Sequence, residues 1–306
     1  MYRRVIIIIL EWKLIARKTK FRPMDILIIF LCIGVGFYVY YRIKYGLEYK
    51  GHWSAIPKFL VTRDPKSGRL TANYLLQGLI ITLKLSVWAA LIATVVGLIM
   101  GIFRTSKSLF LRLIGRTYVE LIRNLPPLVL VFIFYFFIVD QIMPLLGIET
   151  LIRNSSGFTQ KILIIFFAKK SLFIQFISGV MTIAFFEGAY ITEIIRAGIE
   201  SIERGQREAA YSLGLSTFDQ MRFIIMPQAL KRVLPALANE FINTIKYSSL
   251  ASVVSIQELT FSGVQVITAT QYIFETWITV SIMYLTLTLS LSLVVAYIEK
   301  RLRKSD

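Results

Sequence analysis

Ionisable side chains inside long apolar stretches are the residues of this sequence best placed to do chemistry. Glu187 lies in one such stretch, and Glu240 and Lys246 lie in another. At about 1.5 Å per helical residue, Lys246 is about 16 Å beyond Pro235. By the same rise, Glu187 is about 14 Å before Arg196, so the two charges are at a similar depth. A carboxylate and an ammonium at one depth can each meet one charged group of a zwitterion such as an α-amino acid.

The polar residues around Lys246 repeat with the period of a helix. Asn239, Asn243 and Lys246 follow at i, i+4 and i+7, so they share one helix face. A charge in hydrocarbon costs roughly 2.5–3.5 kcal/mol at the bilayer centre, and such residues normally face protein or water. Our hypothesis is that Glu187, Asn243 and Lys246 line a translocation path. The alternative is a Glu187–Lys246 ion pair that only fastens two helices together.

The elements that must position these residues are membrane-spanning helices. The 306 residues are 56% hydrophobic, and the apolar residues form runs near the ~20-residue length that spans a bilayer. We predict an all-α polytopic membrane protein of about six transmembrane helices. The first is interpreted as an uncleaved anchor rather than a signal peptide, since no small-residue cleavage site follows it. The predicted spans are residues 26–41, 76–103, 118–139, 172–195, 234–259 and 277–298.

The distribution of charge sets the predicted orientation. The net charge is +17, but the basic residues lie at the ends of the apolar runs, which argues against a nucleic-acid partner. Most of the 35 Lys and Arg residues lie in segments that would share one side with both termini, which predicts that this side is cytoplasmic. Residues 104–116 form a basic inner loop in this topology. The predicted external loops are residues 42–75, 140–170 and 262–275, the second with a surface or re-entrant helix as an open possibility.

Several smaller signals refine this topology. Gly97 and Gly101 lie four residues apart, which predicts a close approach by a neighbouring helix. Pro126-Pro127 predicts a kink in the third span. Glu193 and Arg196, three residues apart, are interpreted as a surface pair. The sequence contains one histidine, His52, and one cysteine, Cys32, so we predict neither a metal site nor a disulfide framework.

One long polar interruption, residues 205–235, separates the fourth and fifth predicted spans. Gly214 lies where a helix would stop, because glycine tolerates the left-handed conformation that ends one. Ser216 can cap the helix that follows, with Asp219 three residues later. The interruption therefore predicts a helix–turn–helix elbow.

The residue pattern of this elbow is long and specific. It reads Glu-Ala-Ala, three residues, Gly, nine residues, then Ile-Ile-Met-Pro. It resembles the coupling loop of ABC importer permeases, which usually have Leu in place of the Met. The stretch from Gly188-Ala189-Tyr190 to Gly205-Gln206 looks like the polar amino acid branch of that family. The resemblance assigns these residues to coupling: Gly205, Glu208, Ala209, Ala210, Gly214, Ile224, Met226 and Pro227.

The segment that follows Asn239 and Asn243 carries the same resemblance. Lys-Tyr-Ser-Ser-Leu at 246–250 is similar to the family's Lys-Asp-Thr-Ser-Leu, with Tyr247 in place of Asp and Ser248 in place of Thr. Ser248 and Ser249 therefore join the predicted substrate path. The departure at Tyr247 predicts a substrate range that differs from that of commoner members.

The resemblance implies a fold, a function and partners. It covers about three quarters of the chain and implies a type I ABC importer permease domain at 76–304, preceded at 1–75 by a basic segment, an extra transmembrane helix and an external loop. The implied protein is the permease subunit of an ATP-driven importer for polar amino acids in the bacterial inner (plasma) membrane. Its implied partners are a separate ATPase subunit, a second permease subunit, identical or related, and an extracellular or periplasmic solute-binding protein.

Two other function classes stay open at this point. The chain contains no Gly-x-x-x-x-Gly-Lys-Ser/Thr motif, so ATP and magnesium are expected on the partner and no cofactor on this chain. An ion-gradient-driven secondary transporter would also use intramembrane carboxylates, but it does not explain the elbow. An integral membrane enzyme is disfavoured, because no nucleophile or zinc motif is present.

Overall fold

The structure, a computed structural model, describes residues 23–46, 51–64, 68–145, 147 and 157–302. The basic N-terminal segment, the Asn-Ser-Ser-Gly start at 154–156 and the last four residues lie outside the described residues. The chain divides into two units, residues 1–52 and 53–306. The first unit contains helix α1, Pro23–Gly46, which includes the predicted first span and whose described side chains are exposed.

The second unit is almost entirely helical. The sequence predicts this class, since apolar runs in a bilayer must satisfy their backbone groups internally. In chain order its elements are α2 Ile56–Leu60, β1 Val61–Arg63, β2 Leu70–Ala72, α3 Tyr74–Thr105, α4 Leu109–Arg123, α5 Pro127–Phe132, α6 Asp140–Leu145, α7 Gly157–Phe166, α8 Phe173–Glu200, α9 Arg204–Ser212, α10 Thr217–Asp219, α11 Met226–Tyr247, α12 Leu259–Thr270 and α13 Ile273–Leu302.

The predicted loop at 42–75 contains regular structure before α3, namely α2 and the strands β1 and β2. Strands β1 and β2 form an antiparallel hairpin in which Val61 pairs with Ala72. The side chain of Asn73 caps α3 by accepting from the Tyr74 N–H, and its amide donates to the Lys58 carbonyl at 2.7 Å. One asparagine therefore joins α2, the hairpin and the start of α3.

Helices α3 and α8 pack against each other to form the centre of the core. The buried face of α3 consists mainly of small residues, and Gly97 and Gly101 lie on it. A Cβ atom at Gly97 would lie 2.4 Å from Cγ2 of Ile191, and one at Gly101 would lie 2.6 Å from Cγ2 of Ile195. The close helix approach predicted from this glycine pair is confirmed, and the partner is α8.

We expect Gly97→Val to reduce the amount of folded protein severely. The added side chain would overlap Ile191 and its backbone, and overpacking of this kind costs about 1–3 kcal/mol or more. Fluorescence-detected size-exclusion chromatography in detergent measures the folded fraction. The matched control is Gly34→Val in α1, where an added Cβ meets nothing within 4 Å. A native elution profile for Gly97→Val would contradict this packing.

The kink predicted at Pro126-Pro127 in the third span is confirmed, but it is a break between two helices and not a bend within one. Helix α4 and the helical segment Pro127–Phe137 meet at an angle of 112°. Neither Pro126 nor Pro127 has a backbone donor, and each restricts the residue before it, so the helix ends at Arg123. The predicted basic loop at 104–116 is wrong, because α4 begins at Leu109 and its inward face, which includes Gly115 and Val119, packs as a helix.

The fifth span and its outer loop also differ from the prediction. The helical run Thr217–Val254 breaks at Ser255, which has a φ of 61°, and continues as α12 at an angle of 47°. Residues 262–270 are therefore helix rather than external loop. Among the described residues, four helices are long and apolar enough to cross a membrane, or up to six if each bent pair counts as one span, so the predicted number is compatible with the structure.

Glu258 explains why α12 forms where a loop was predicted. Its carboxylate accepts from the N–H groups of Thr260 at 2.9 Å and Phe261 at 2.8 Å, which caps the helix. It also accepts from the Tyr284 hydroxyl of α13 at 2.7 Å. A fully buried carboxylate thus links α12 to α13.

The described part of the predicted 140–170 loop contains α6 and α7. The end of α7 is attached to α3, since Lys84 donates to the Ile164 carbonyl at 2.6 Å and Trp88 donates to the Phe166 carbonyl at 2.9 Å. The Trp88 ring also stacks on Phe167 at 4.8 Å. Two polar side chains of an apolar helix are thus satisfied by the backbone carbonyls of the last turn of α7.

Candidate functional site

The elbow has the local structure that its sequence predicts. Helix α9 ends at Ser212, and Gly214 adopts a φ of 73° with its N–H donating to the Tyr211 carbonyl at 2.9 Å. The Ser216 hydroxyl accepts from the Asp219 N–H at 3.1 Å and so caps α10. Helix α9 begins at Arg204, about one turn earlier than the predicted start at Glu208.

The predicted coupling residues divide into an outward and an inward set. Ala210 is buried, and Ile224 and Met226 are partly buried, so these three hold the elbow against the core. The outward set is exposed and consists of Gly205, Glu208, Ala209, Gly214 and Pro227. The two sets fit a short helix that packs on one side and is free to bind on the other.

The free side of the elbow carries large apolar side chains that the sequence analysis did not select. Tyr211 is 77% exposed, Leu213 79% and Phe218 68%. We call these three residues the elbow apolar patch. They lie beside polar side chains of the elbow, and charged residues are most frequent at this end of the neighbouring spans. Apolar patches with a polar rim mark protein interaction sites.

Two arginines of the elbow segment donate hydrogen bonds to backbone carbonyls at the end of α8. Arg207 of α9 donates to the Ile199 carbonyl near the end of α8 at 3.0 Å. Arg232 of α11 donates to the Ser201 carbonyl at 2.5 Å. Arg207 thus attaches α9 to α8, and Arg232 attaches α11 to the residue that follows α8.

The second candidate site is the polar face of α11. Lys246 is exposed, and its ammonium donates to the Asn243 side-chain oxygen at 3.4 Å. The Asn243 amide donates in turn to Glu240 at 3.2 Å. Asn239 is exposed one turn earlier. An exposed polar stripe on a helix at membrane depth faces water or another protein surface rather than lipid.

Glu187 of α8 lies behind this face. Its side chain is fully buried, and no N–H group or hydroxyl of the described residues donates to its oxygens. The carboxyl of Glu240 lies within hydrogen-bonding reach of it. Among the ion pairs of the described residues, none joins Glu187 to Lys246, so the purely structural pair considered as an alternative does not form here.

The two predicted path serines point back to their own helix. Ser248 is buried and donates to the Ile245 carbonyl at 2.7 Å, and Ser249 donates to the Lys246 carbonyl at 2.7 Å. Both belong to the 3₁₀ segment Ser248–Val254 that follows α11. The structure thus places Asn243 and Lys246 together on the open face and Glu187 behind it. Both serine hydroxyl groups are hydrogen-bonded to backbone carbonyls.

A charged network near the elbow end of α8 replaces the predicted surface pair. Glu193 accepts from Arg196 at 2.9 Å as predicted, but it also pairs with Arg104 of α3 at 2.8 Å and with Arg123 of α4 at 4.0 Å. The Glu193 side chain is only partly exposed. One carboxylate therefore joins three helices, which spacing along the sequence cannot reveal.

An aromatic cluster lies next to the acidic pair and was also missed. The rings of Phe186 and Tyr190 are 5.2 Å apart, and so are those of Phe186 and Tyr247. The guanidinium of Arg123 lies 5.4 Å from the Tyr190 ring centre. The only sequence signal for this cluster was the departure from the family pattern at Tyr247.

Comparisons with known proteins agree with this architecture. The family described as "Binding-protein-dependent transport system inner membrane component" matches residues 93–304. The probable glutamine ABC transporter permease protein GlnM of Bacillus subtilis is 35% identical over 75% of this chain and 94% of its own length. The glutamate/aspartate import permease protein GltJ of Escherichia coli is 28% identical over 76% of this chain and 88% of its own length.

A solved structure gives the same assignment. A chain of the crystal structure of an amino acid ABC transporter with histidines is 32% identical, covers 74% of this chain and 94% of its own length, and superposes with a TM-score of 0.59. The family match spans more than half of the sequence, including α4, the elbow and α13. This chain therefore belongs to the inner membrane components of binding-protein-dependent transport systems and is a multi-pass membrane permease.

Proposed function

We propose that this chain is the membrane-spanning subunit of an ATP-driven importer for polar amino acids. The observation that carries the proposal is the elbow, because it presents an exposed apolar patch beside a short helix that Arg207 attaches to the long helix α8. A permease that is driven by a separate ATPase subunit needs a surface to which that subunit can bind. The names of its relatives, which include glutamine and glutamate/aspartate permeases, support the substrate class.

The elbow is the proposed docking site of the ATPase subunit on the cytoplasmic side. Tyr211, Leu213 and Phe218 would fill a groove on that subunit, and Glu208 would supply an anchoring carboxylate at the rim. ATP and magnesium would bind to the ATPase and not to this chain. Closure of two ATPase subunits on ATP binding would move α9, the Arg207 hydrogen bond would pass the motion to α8, and the Arg232 hydrogen bond would pass it from the end of α8 to α11.

The polar face of α11 is the proposed substrate path. Lys246 would meet the carboxylate of the amino acid, and Asn243 would hydrogen-bond to it. A second permease subunit, identical or related, would complete the path opposite this face. A solute-binding protein would deliver the amino acid to the end of the permease that is remote from the elbow. The hairpin β1–β2 and the segment around α7 belong to the segments predicted to lie at that outer end.

Transport in reconstituted vesicles tests the proposal. The permease, its ATPase and its binding protein are placed in proteoliposomes, and uptake of radiolabelled polar amino acids is measured with ATP or a non-hydrolysable analogue inside. We expect uptake only with hydrolysable ATP. Uptake that follows a sodium or proton gradient and persists without the ATPase would instead favour a secondary transporter.

A further inference from the structure

Helix α4 exposes a row of apolar side chains that its packing in the core does not explain. Phe110, Ile114 and Leu121 follow at i, i+4 and i+11, so they share one face of the helix. All three are exposed, and Phe110 is 71% exposed. The side of α4 that packs in the core is a different one and includes Gly115 and Val119. We call Phe110, Ile114 and Leu121 the apolar stripe of α4.

A basic stripe runs along the opposite side of the same helix. Arg112, Arg116 and Arg123 repeat the i, i+4, i+11 spacing two residues later, and two residues turn a helix by about 200°. Arg123 joins the charged network at the end of α8. Arg112 and Arg116 are exposed, and no ion pair of the described residues includes either of them. Glu120, one turn after Arg116, accepts from the Asn124 amide at 2.9 Å instead.

The position of α4 in the fold places both stripes at the surface of the bilayer. The helical segment Pro127–Phe137 of the third span is turned by 112° from α4, so α4 runs near the bilayer plane where that segment crosses. Gly115 of α4 packs on the last turns of α3, since a Cβ atom there would lie 2.8 Å from Cγ of Arg104 and 3.0 Å from the Met100 carbonyl oxygen.

The length of α3 sets the depth of this contact. Helix α3 has 32 residues and is therefore about 48 Å long, whereas the hydrocarbon core of a bilayer is about 30 Å thick. The end of α3 on which α4 packs thus reaches the headgroup region. In the predicted topology this end is on the cytoplasmic side.

Anionic phospholipids match this surface in both polarity and charge. The apolar face of an interfacial helix enters the boundary between headgroups and acyl chains by about 5–10 Å. Since a helix with its side chains is about 10–12 Å across, the opposite stripe then lies at the level of the headgroups. Arginine donates two parallel N–H groups to a phosphate, and the net negative charge of an anionic lipid favours it over a zwitterionic one. The turn before α4 adds the exposed Lys107, which has no ion pair within the described part of the chain.

We propose that α4 is an interfacial helix whose cationic side chains, Lys107, Arg112 and Arg116, bind the headgroup of an anionic phospholipid of the cytoplasmic leaflet. The apolar stripe of α4 enters the acyl region beside that lipid. The site goes beyond the proposed function and does not depend on it, because a permease with any energy source could carry it. The bound lipid holds α4 in the membrane plane against the end of α3.

The affinities of the full-length chain for two phospholipids test the site. The chain is purified in detergent, freed of lipid and titrated with phosphatidylglycerol or phosphatidylcholine, and native mass spectrometry measures the bound lipid. We expect tighter binding of phosphatidylglycerol. Arg112→Gln/Arg116→Gln should weaken it by about 30-fold, about fivefold for each arginine, and change phosphatidylcholine binding by less than about twofold. Arg112→Lys/Arg116→Lys should keep most of the preference, because the charge remains.

The matched control removes the same charge from another surface. Arg63→Gln/Arg69→Gln changes two exposed arginines of the β1–β2 hairpin and should leave phosphatidylglycerol affinity within about twofold. An equal loss in this control, or equal affinity of the unmodified chain for both lipids, would overturn the proposal. If the double glutamine variant of α4 does not fold, each single variant carries the fivefold prediction.

Photo-crosslinking in native membranes tests what covers the apolar stripe. A photoreactive phenylalanine analogue takes the place of Phe110 in the full-length chain, and the crosslinked products are separated into lipid and protein adducts. We expect lipid adducts. Adducts with a second copy of this chain or with another protein would assign the apolar stripe to a protein interface and so contradict the interfacial position of α4.

Discussion

The double variant Tyr211→Ala/Leu213→Ala is expected to lose its ATPase partner and, with it, ATP-driven uptake, while the permease itself folds normally. Both side chains are more than three quarters exposed at 77% and 79%, so their removal costs the isolated chain little. Large side chains at the centre of an interface contribute about 2 kcal/mol or more each, which is about 30-fold in affinity for each residue. Affinity co-purification measures the bound ATPase, and vesicle uptake measures the function.

The control for this variant is Leu70→Ala in strand β2. Leu70 is 71% exposed, similar to Leu213, but it lies on the hairpin remote from the elbow in sequence. It should co-purify with the ATPase as the unmodified chain does, and this is the readout for which it is the control. Full uptake by the elbow variant would mean that the ATPase binds elsewhere on the permease.

Lys246→Met is expected to reduce substrate affinity by about 10–100-fold while the protein level stays near normal. The ammonium is exposed and pairs with Asn243 rather than with a buried carboxylate, so its removal strands no charge in the core. A hydrogen bond to a charged group contributes about 1.5–3 kcal/mol, which corresponds to this loss. Equilibrium binding per molecule of folded transporter is the measurement.

Lys84→Met is the matched control, because Lys84 is a second lysine within an apolar helix. Its ammonium is bonded to the Ile164 carbonyl at 2.6 Å, away from the polar face of α11. We expect unchanged affinity for the amino acid. If Lys246→Met lowers only the protein level and leaves affinity unchanged, then Lys246 has a structural role and does not contact substrate.

The elbow could be predicted from the sequence because local residues determine it. Gly214 supplies the left-handed turn and Ser216 the cap, and neither depends on a distant partner. The close packing at Gly97 was predictable as well, because glycine has no side chain and so lets a neighbouring helix approach its backbone. The structure confirms both predictions.

The broken helices were harder to predict, because hydropathy measures composition and not direction. Pro126-Pro127 indicated a kink, but a bend of 112° depends on how α4 packs against α3 and α8. The break at Ser255 depends on Glu258, whose partners Thr82 and Tyr284 are far away in sequence. Glutamate is not a common helix cap, so the pattern gave no warning of it.

The candidate path was predicted in part. The i, i+4, i+7 spacing placed Asn243 and Lys246 on one face, because a helix fixes that relation. The spacing could not show that Glu187 faces Glu240 instead of Lys246, since depth in the bilayer does not define rotation about the helix axis. The assignment of these residues to substrate stays a prediction.

Labelling of a single cysteine at Leu213 tests the central claim most directly, namely that the elbow is a cytoplasmic surface that binds a separate ATPase subunit. The variant is Leu213→Cys with Cys32→Ser, and the probe is a membrane-impermeant maleimide. We expect labelling in inside-out vesicles, none in intact cells, and protection when the ATPase is bound. Labelling from outside the cell, or equal labelling with and without the ATPase, would contradict the account.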